Sequence, residues 1–123
     1  MELELKSIVQ TLEEHKGEDI KALEIGALSS IGDYFVLATA LNQTHAQALA
    51  HYVEADVVKA GGEKPLRIEG LREGDWILMD YGDIVVHIFT ADQRAYYGLE
   101  KLWGDADEYN IAPWLELVEK KRS

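Results

Sequence analysis

Residues 76–89 read WILMDYGDIVVHIF. Two runs of large apolar and β-branched residues meet at a Tyr-Gly pair, and no other stretch limits the fold as much. Such residues favour strands, and glycine tolerates the positive φ of a tight hairpin turn. With Tyr81-Gly82 as a two-residue loop, Asp80 is expected to face Asp83, Leu78 to face Val85, and Trp76 to face His87. Residues opposed in this way share a sheet face about 5 Å apart. The other face carries Ile77, Met79, Ile84, Val86 and Ile88. All are apolar, so that face belongs in a core. A lone hairpin has no core, and a larger sheet under helices is required.

The rest of the chain supplies those parts. Leu5, Ile8, Val9 and Leu12 follow helical spacing within 3–16, and Gly17 is expected to end that helix. Residues 19–25 read as a strand with imperfect alternation. Residues 34–39, YFVLAT, are apolar throughout, as in a central strand buried on both faces. Asn42 or Thr44 can cap a helix running to about Ala60, before Gly61-Gly62. Pro65 opens a short strand at 65–69. A helix follows from Thr90 or Asp92 to Trp103, with Leu99 and Leu102 expected in the core. Residues 104–110 read as a polar loop, and 113–120 as a final helix with Pro113 in its first turn. These elements predict one α/β domain over 1–123, with a single mixed sheet of about five strands flanked by helices.

The chain has 123 residues and a formal net charge of −11, from 23 acids and 12 bases. Phosphate binding depends on clustered Lys and Arg, so a direct nucleic-acid partner is not expected. The terminal Lys120-Lys121-Arg122 reads as a frayed tail. A basic protein is the more suitable partner, although solubility alone accounts for the charge equally well. No apolar run approaches the roughly 20 residues of a membrane span. MELELKSIVQ lacks the basic segment and apolar stretch of a secretory signal, so a cytoplasmic protein is expected. The absence of cysteine removes disulfides, thiolate metal sites and a Cys nucleophile.

Several readings compete for the first hairpin face. Asp80 and Asp83 could form an acid pair, but an exposed tip offers little desolvation to tune them. A metal shared by Asp83 and His87 fails on distance. Four residues along a strand span about 13 Å, whereas metal–ligand bonds are near 2 Å. His45 and His51 point to different sides of a helix. No metal or cofactor is therefore expected. The remaining readings are a recognition surface and a core face covered by a helix. Trp76 follows the polar turn Arg72-Glu73-Gly74-Asp75, which favours recognition. The candidate contacts are Trp76, Leu78, Asp80, Tyr81, Asp83 and His87. Arg94, Tyr97 and Lys101 join them from one stripe of the following helix, with the Tyr97 hydroxyl at a wet rim.

SSIGDYFVLAT, DWILMDYGDIVVHIF and YYGLEKLWGDA together resemble the ribosomal silencing factor family, RsfS, also called Iojap. The resemblance spans nearly the whole chain. It implies an α/β fold related to nucleotidyltransferases but without known catalysis. It also implies binding to the large ribosomal subunit on ribosomal protein L-fourteen, at the face where the small subunit docks. Joining is then blocked sterically, and translation falls when nutrients are short. Mitochondrial and chloroplast relatives act in large-subunit assembly, and free members can form homodimers. Trp76, Tyr81 and Tyr97 match positions expected at the ribosomal contact. The chain departs from the family at Ala40 and Thr44, where a glycine and an arginine are usual before the retained His45.

The rival function is that of a nucleotidyltransferase-like enzyme. That chemistry normally needs a Gly-Ser turn and a D-x-D pair on a strand to hold magnesium and triphosphate. Ser29-Ser30 has no suitable preceding glycine, and Asp33 lacks a partner two residues on. A ribosome assembly factor, or a module that only associates with itself, would also suit an acidic domain without a catalytic motif.

Overall fold

The computed structural model describes residues 2–30 and 32–122. Helix α1 (Glu2–Glu14) buries Leu5, Ile8, Val9 and Leu12, the stripe expected from their spacing. Its end differs from expectation in one respect. The left-handed residue is Lys16, at φ 67°, and not Gly17. Glycine is needed at 17 for room, since a Cβ there would lie 2.9 Å from the Leu12 carbonyl oxygen.

Strands β1 (Glu18–Glu24) and β2 (Tyr34–Ala40) pair antiparallel. Helix α2 (Gln43–Lys59) follows, with Asn42 Oδ1 accepting from the His45 amide at 2.8 Å. Strands β3 (Arg67–Glu69), β4 (Trp76–Asp80) and β5 (Ile84–Thr90) complete one half of the sheet. The chain then forms α3 (Ala91–Tyr97), α4 (Leu99–Leu102), β6 (Asp107–Tyr109) and α5 (Ala112–Arg122).

The sheet order is β3-β4-β5-β2-β1-β6. Among the described strands only the central β2–β5 pair is parallel, from Tyr34↔Ile84 to Ala40↔Thr90. Six strands form instead of about five, because β6 lies within the expected polar loop and pairs with β1 from Ala22↔Tyr109 to Glu24↔Asp107. Lys120 to Arg122, expected as a frayed tail, continue α5. The sheet is otherwise the mixed, helix-flanked sheet that the sequence predicts.

Its two faces are unequal. On one, Ala22, Val36, Ala38, Ile77, Met79, Val86 and Ile88 pack with the buried stripes of α1 and α2 and with Ile111, ahead of α5. On the other, Leu23, Ile25, Phe35, Leu37, Val85 and Phe89 form a smaller cluster. Its cover comes from half-buried Leu99 and Trp103 and from α3.

Candidate interaction surface

The smaller cluster begins at the β4–β5 hairpin. Trp76 pairs with Phe89, Leu78 with His87, and Asp80 with Val85. Asp80 therefore does not face Asp83, and the expected pairing is shifted by two residues. The turn is centred on Gly82-Asp83, not Tyr81-Gly82, with Tyr81 N–H donating to the Ile84 carbonyl at 2.9 Å. Gly82 takes φ 87°, and its amide donates to Asp80 Oδ1 at 2.8 Å. A two-residue shift keeps every side chain on its face. Both face assignments hold for that reason, although the register does not.

Trp76 is half-buried, and its indole Nε1–H donates to His87 Nδ1 at 3.0 Å. The His87 ring lies within 4.7 Å of Phe35, centroid to centroid, and is only 3% exposed. Burial lowers its pKa to about 4. Because Nδ1 accepts, the neutral ring carries its proton on Nε2, and no described residue accepts from that atom. Tyr97 packs against the outer side of Trp76 at 4.7 Å and is 54% exposed. Tyr96 packs edge-on against Tyr97 and is still more open. Side by side, these rings form a graded aromatic surface, from buried Phe35 and His87 through Trp76 to solvent-facing Tyr97.

The remaining candidates divide. Leu78 is half-buried on the same strand face as Trp76. Asp80 lies at that strand's end, where Arg67 Nε reaches its Oδ2 at 3.3 Å. Asp83 is exposed in the turn, and its carbonyl accepts from the Asp33 and Tyr34 amides. Tyr81 packs on the opposite face, with the larger core. Its hydroxyl has no described partner, and burial, followed by the Glu54 and Glu4 charges, raises its pKa. Lys101 is exposed on α4. Arg94 turns inward and is 8% exposed. The structure thus brings together Trp76, Leu78, His87 and Tyr97, sets Tyr81 behind the sheet, and draws Arg94 out of solvent.

Two features were not legible in the residue pattern. Leu102, expected in the core, is 75% exposed. Gly98, in the left-handed region at φ 56°, breaks the expected helix and re-aims α4. Away from this face, Glu14, His15 and Asp56 bring one possible metal-ligand atom each within 4.8 Å of the others. Asp56 accepts from Thr11 Oγ1 at 2.8 Å, and Lys59 lines the same depression as Glu14 and Asp56. His45 is a structural pin: its Nδ1 accepts from the Leu41 amide, and its Nε2–H donates to the His15 carbonyl at 2.8 Å. The segment from Leu41 to His45 thereby ties the start of α2 to the end of α1.

Fold and surface define the class: a mixed-sheet α/β domain with one thickly covered face and one thinly covered aromatic face. The family model for the ribosomal silencing factor during starvation matches residues 1–123, and the chain belongs to that family. It is 40% identical over 102 residues to the ribosomal silencing factor RsfS of Halalkalibacterium halodurans, covering 83% of this chain and 86% of that one. The Bacillus subtilis ribosomal silencing factor RsfS is 39% identical over the same shares. A crystal structure of a Chromobacterium violaceum protein superposes with a TM-score of 0.79 at 34% identity, covering 89% of each chain.

Proposed function

We propose that this protein represses translation in the cytoplasm by docking on the large ribosomal subunit through ribosomal protein L-fourteen. Its bulk then keeps the small subunit from joining when nutrients are short. The observation that carries this reading is the Trp76–Tyr97 pair, half-buried tryptophan against exposed tyrosine, at the edge of the thinly covered sheet face. Binding energy concentrates in such aromatic anchors, surrounded by contacts that exclude water. A formal charge of −11 supports a basic protein partner and disfavours ribosomal RNA. A steric role asks for a fixed surface and no reaction. Asp80, the carboxylate nearest this surface on β4, is already engaged by Arg67 and the Gly82 amide.

Co-sedimentation with purified large subunits tests the proposal. Trp76→Glu is expected to weaken binding by at least about thirtyfold, as loss of a hot-spot side chain worth roughly 2 kcal/mol does. Circular dichroism checks that the variant is folded. Tyr97→Asp is the companion variant, because the exposed ring carries little of the core. Undiminished co-sedimentation of both folded variants would overturn the proposal.

A further inference from the structure

Helix α3 carries Tyr97, yet its one buried residue among those described is Arg94, and α4 has none. A surface helix is ordinarily held by an apolar stripe. Here a guanidinium takes that place. Arg94 Nε donates to Glu100 Oε1 at 2.9 Å. Its Nη1 donates to the Asp19 carbonyl and to Thr39 Oγ1, each at 2.8 Å. One side chain thus joins α3 to β1, β2 and α4. Glu100 Oε2 also accepts from Lys21 Nζ at 2.9 Å, so the corner is fastened to β1 a second time.

Local backbone geometry presents these acceptors. Asp19 sits at φ 51° within the register shift between Glu18 and Lys21, where a carbonyl can leave the ladder. Residues six apart on a continuous helix point to different sides, so Glu100 could not reach Arg94 along one. The break at Gly98 folds α4 back and allows the contact. Charge-assisted hydrogen bonds of this kind fix geometry strongly. The Arg94 bond is the largest reason that the Glu100 pKa is lowered. Glu18, Asp19 and Glu100 line the depression beside the guanidinium, so the site is set against an anionic ligand.

We propose that Arg94 is the positioning residue of the aromatic face. Its bonds hold the α3–α4 corner in the orientation that seats Tyr97 on Trp76, so the docking surface exists before the partner arrives. This inference rests on reading that face as the docking surface. Arg94 itself touches no partner. Leu99 and Trp103 hold the far end of the corner through the smaller core cluster. Losing Arg94 therefore frees α3 while the sheet stays intact.

Hydrogen–deuterium exchange and large-subunit co-sedimentation test this together, with Arg94→Met, Arg94→Lys and Glu100→Gln. In Arg94→Met, amides of residues 91–97 are expected to lose protection while those of β2 and β5 keep it. Affinity is expected to fall about tenfold if one molecule in ten keeps the competent arrangement. Arg94→Lys should recover part of both effects, which simple loss of an interior side chain would not predict. If Arg94→Met unfolds the sheet, Glu100→Gln keeps the guanidinium and reads the same two quantities. Unchanged α3 protection in the folded variants overturns the proposal. So does unchanged binding despite lost protection. If Trp76→Glu binds like the parent protein, the docking reading fails, while the exchange data still decide whether Arg94 holds α3.

Discussion

The Trp76 side chain has a single hydrogen-bond donor, and His87 accepts from it. The indole can therefore offer a partner only its ring surface, which suits apolar and cationic groups. The same bond makes the pair sensitive to acid. Protonating His87 would place a hydrogen on Nδ1, facing the indole N–H, and a charge in a nearly closed site. Its pKa falls from the ordinary 6.5 to about 4 in the folded protein. Between those values the unfolded chain binds a proton that the folded chain does not, so stability rises with pH across this window. The contribution is complete above about pH 6.5 and is lost as pH falls toward 4. It amounts to about 3 kcal/mol at one pKa unit per 1.36 kcal/mol. His87→Asn keeps an acceptor near the indole and does not titrate. Urea unfolding of both proteins at several pH values from 4 to 7.5 should give a flatter profile for the variant. Parallel profiles would place the acid sensitivity elsewhere.

At the scale of elements, the sequence revealed most of the fold because strand faces follow a period of two and helix stripes a period near 3.6. Leu5, Ile8, Val9 and Leu12 announced α1, and the five apolar residues of one hairpin face announced the main core. The turn was misplaced because both Tyr81-Gly82 and Gly82-Asp83 contain the glycine a hairpin needs. β6 escaped notice because Asp107 and Glu108 have low strand propensity, and what places them is pairing to β1. Trp76 and Tyr97 were legible as aromatic candidates for a contact, but the inward course of Arg94 was not. That course depends on a corner at Gly98 and a register shift at Asp19, which no periodicity reports. Gly98 gives the matching prediction. A Cβ there would meet nothing within 4 Å, so Gly98→Ala adds backbone strain without a clash. It should cost about 1 kcal/mol in urea denaturation with no gain in helical circular dichroism. Greater stability with more helix would mean that α3 and α4 had fused into the single helix the sequence suggested.

The whole molecule combines a thickly backed sheet with a formal charge of −11, and in the proposed docking these properties act on different stages of association. Long-range attraction between an acidic protein and a basic partner raises the rate of encounter, whereas short-range packing of desolvated rings sets how long the complex lasts. Raising ionic strength from physiological to about 1 M shortens the screening length from roughly 8 Å to roughly 3 Å. Association with a purified basic ribosomal protein should then slow by about tenfold or more, while dissociation changes little. Asp80→Asn combined with Asp83→Asn should reproduce a small part of that slowing, because those two charges belong to a net excess of eleven. Trp76→Ala should do the opposite, shortening the lifetime while leaving the encounter rate near its original value. Stopped-flow association and dissociation measurements separate the two contributions. If salt accelerates dissociation and spares association, the acids are making close contacts and not steering. The surface that recognises the partner would then extend from the aromatic rings toward the hairpin tip.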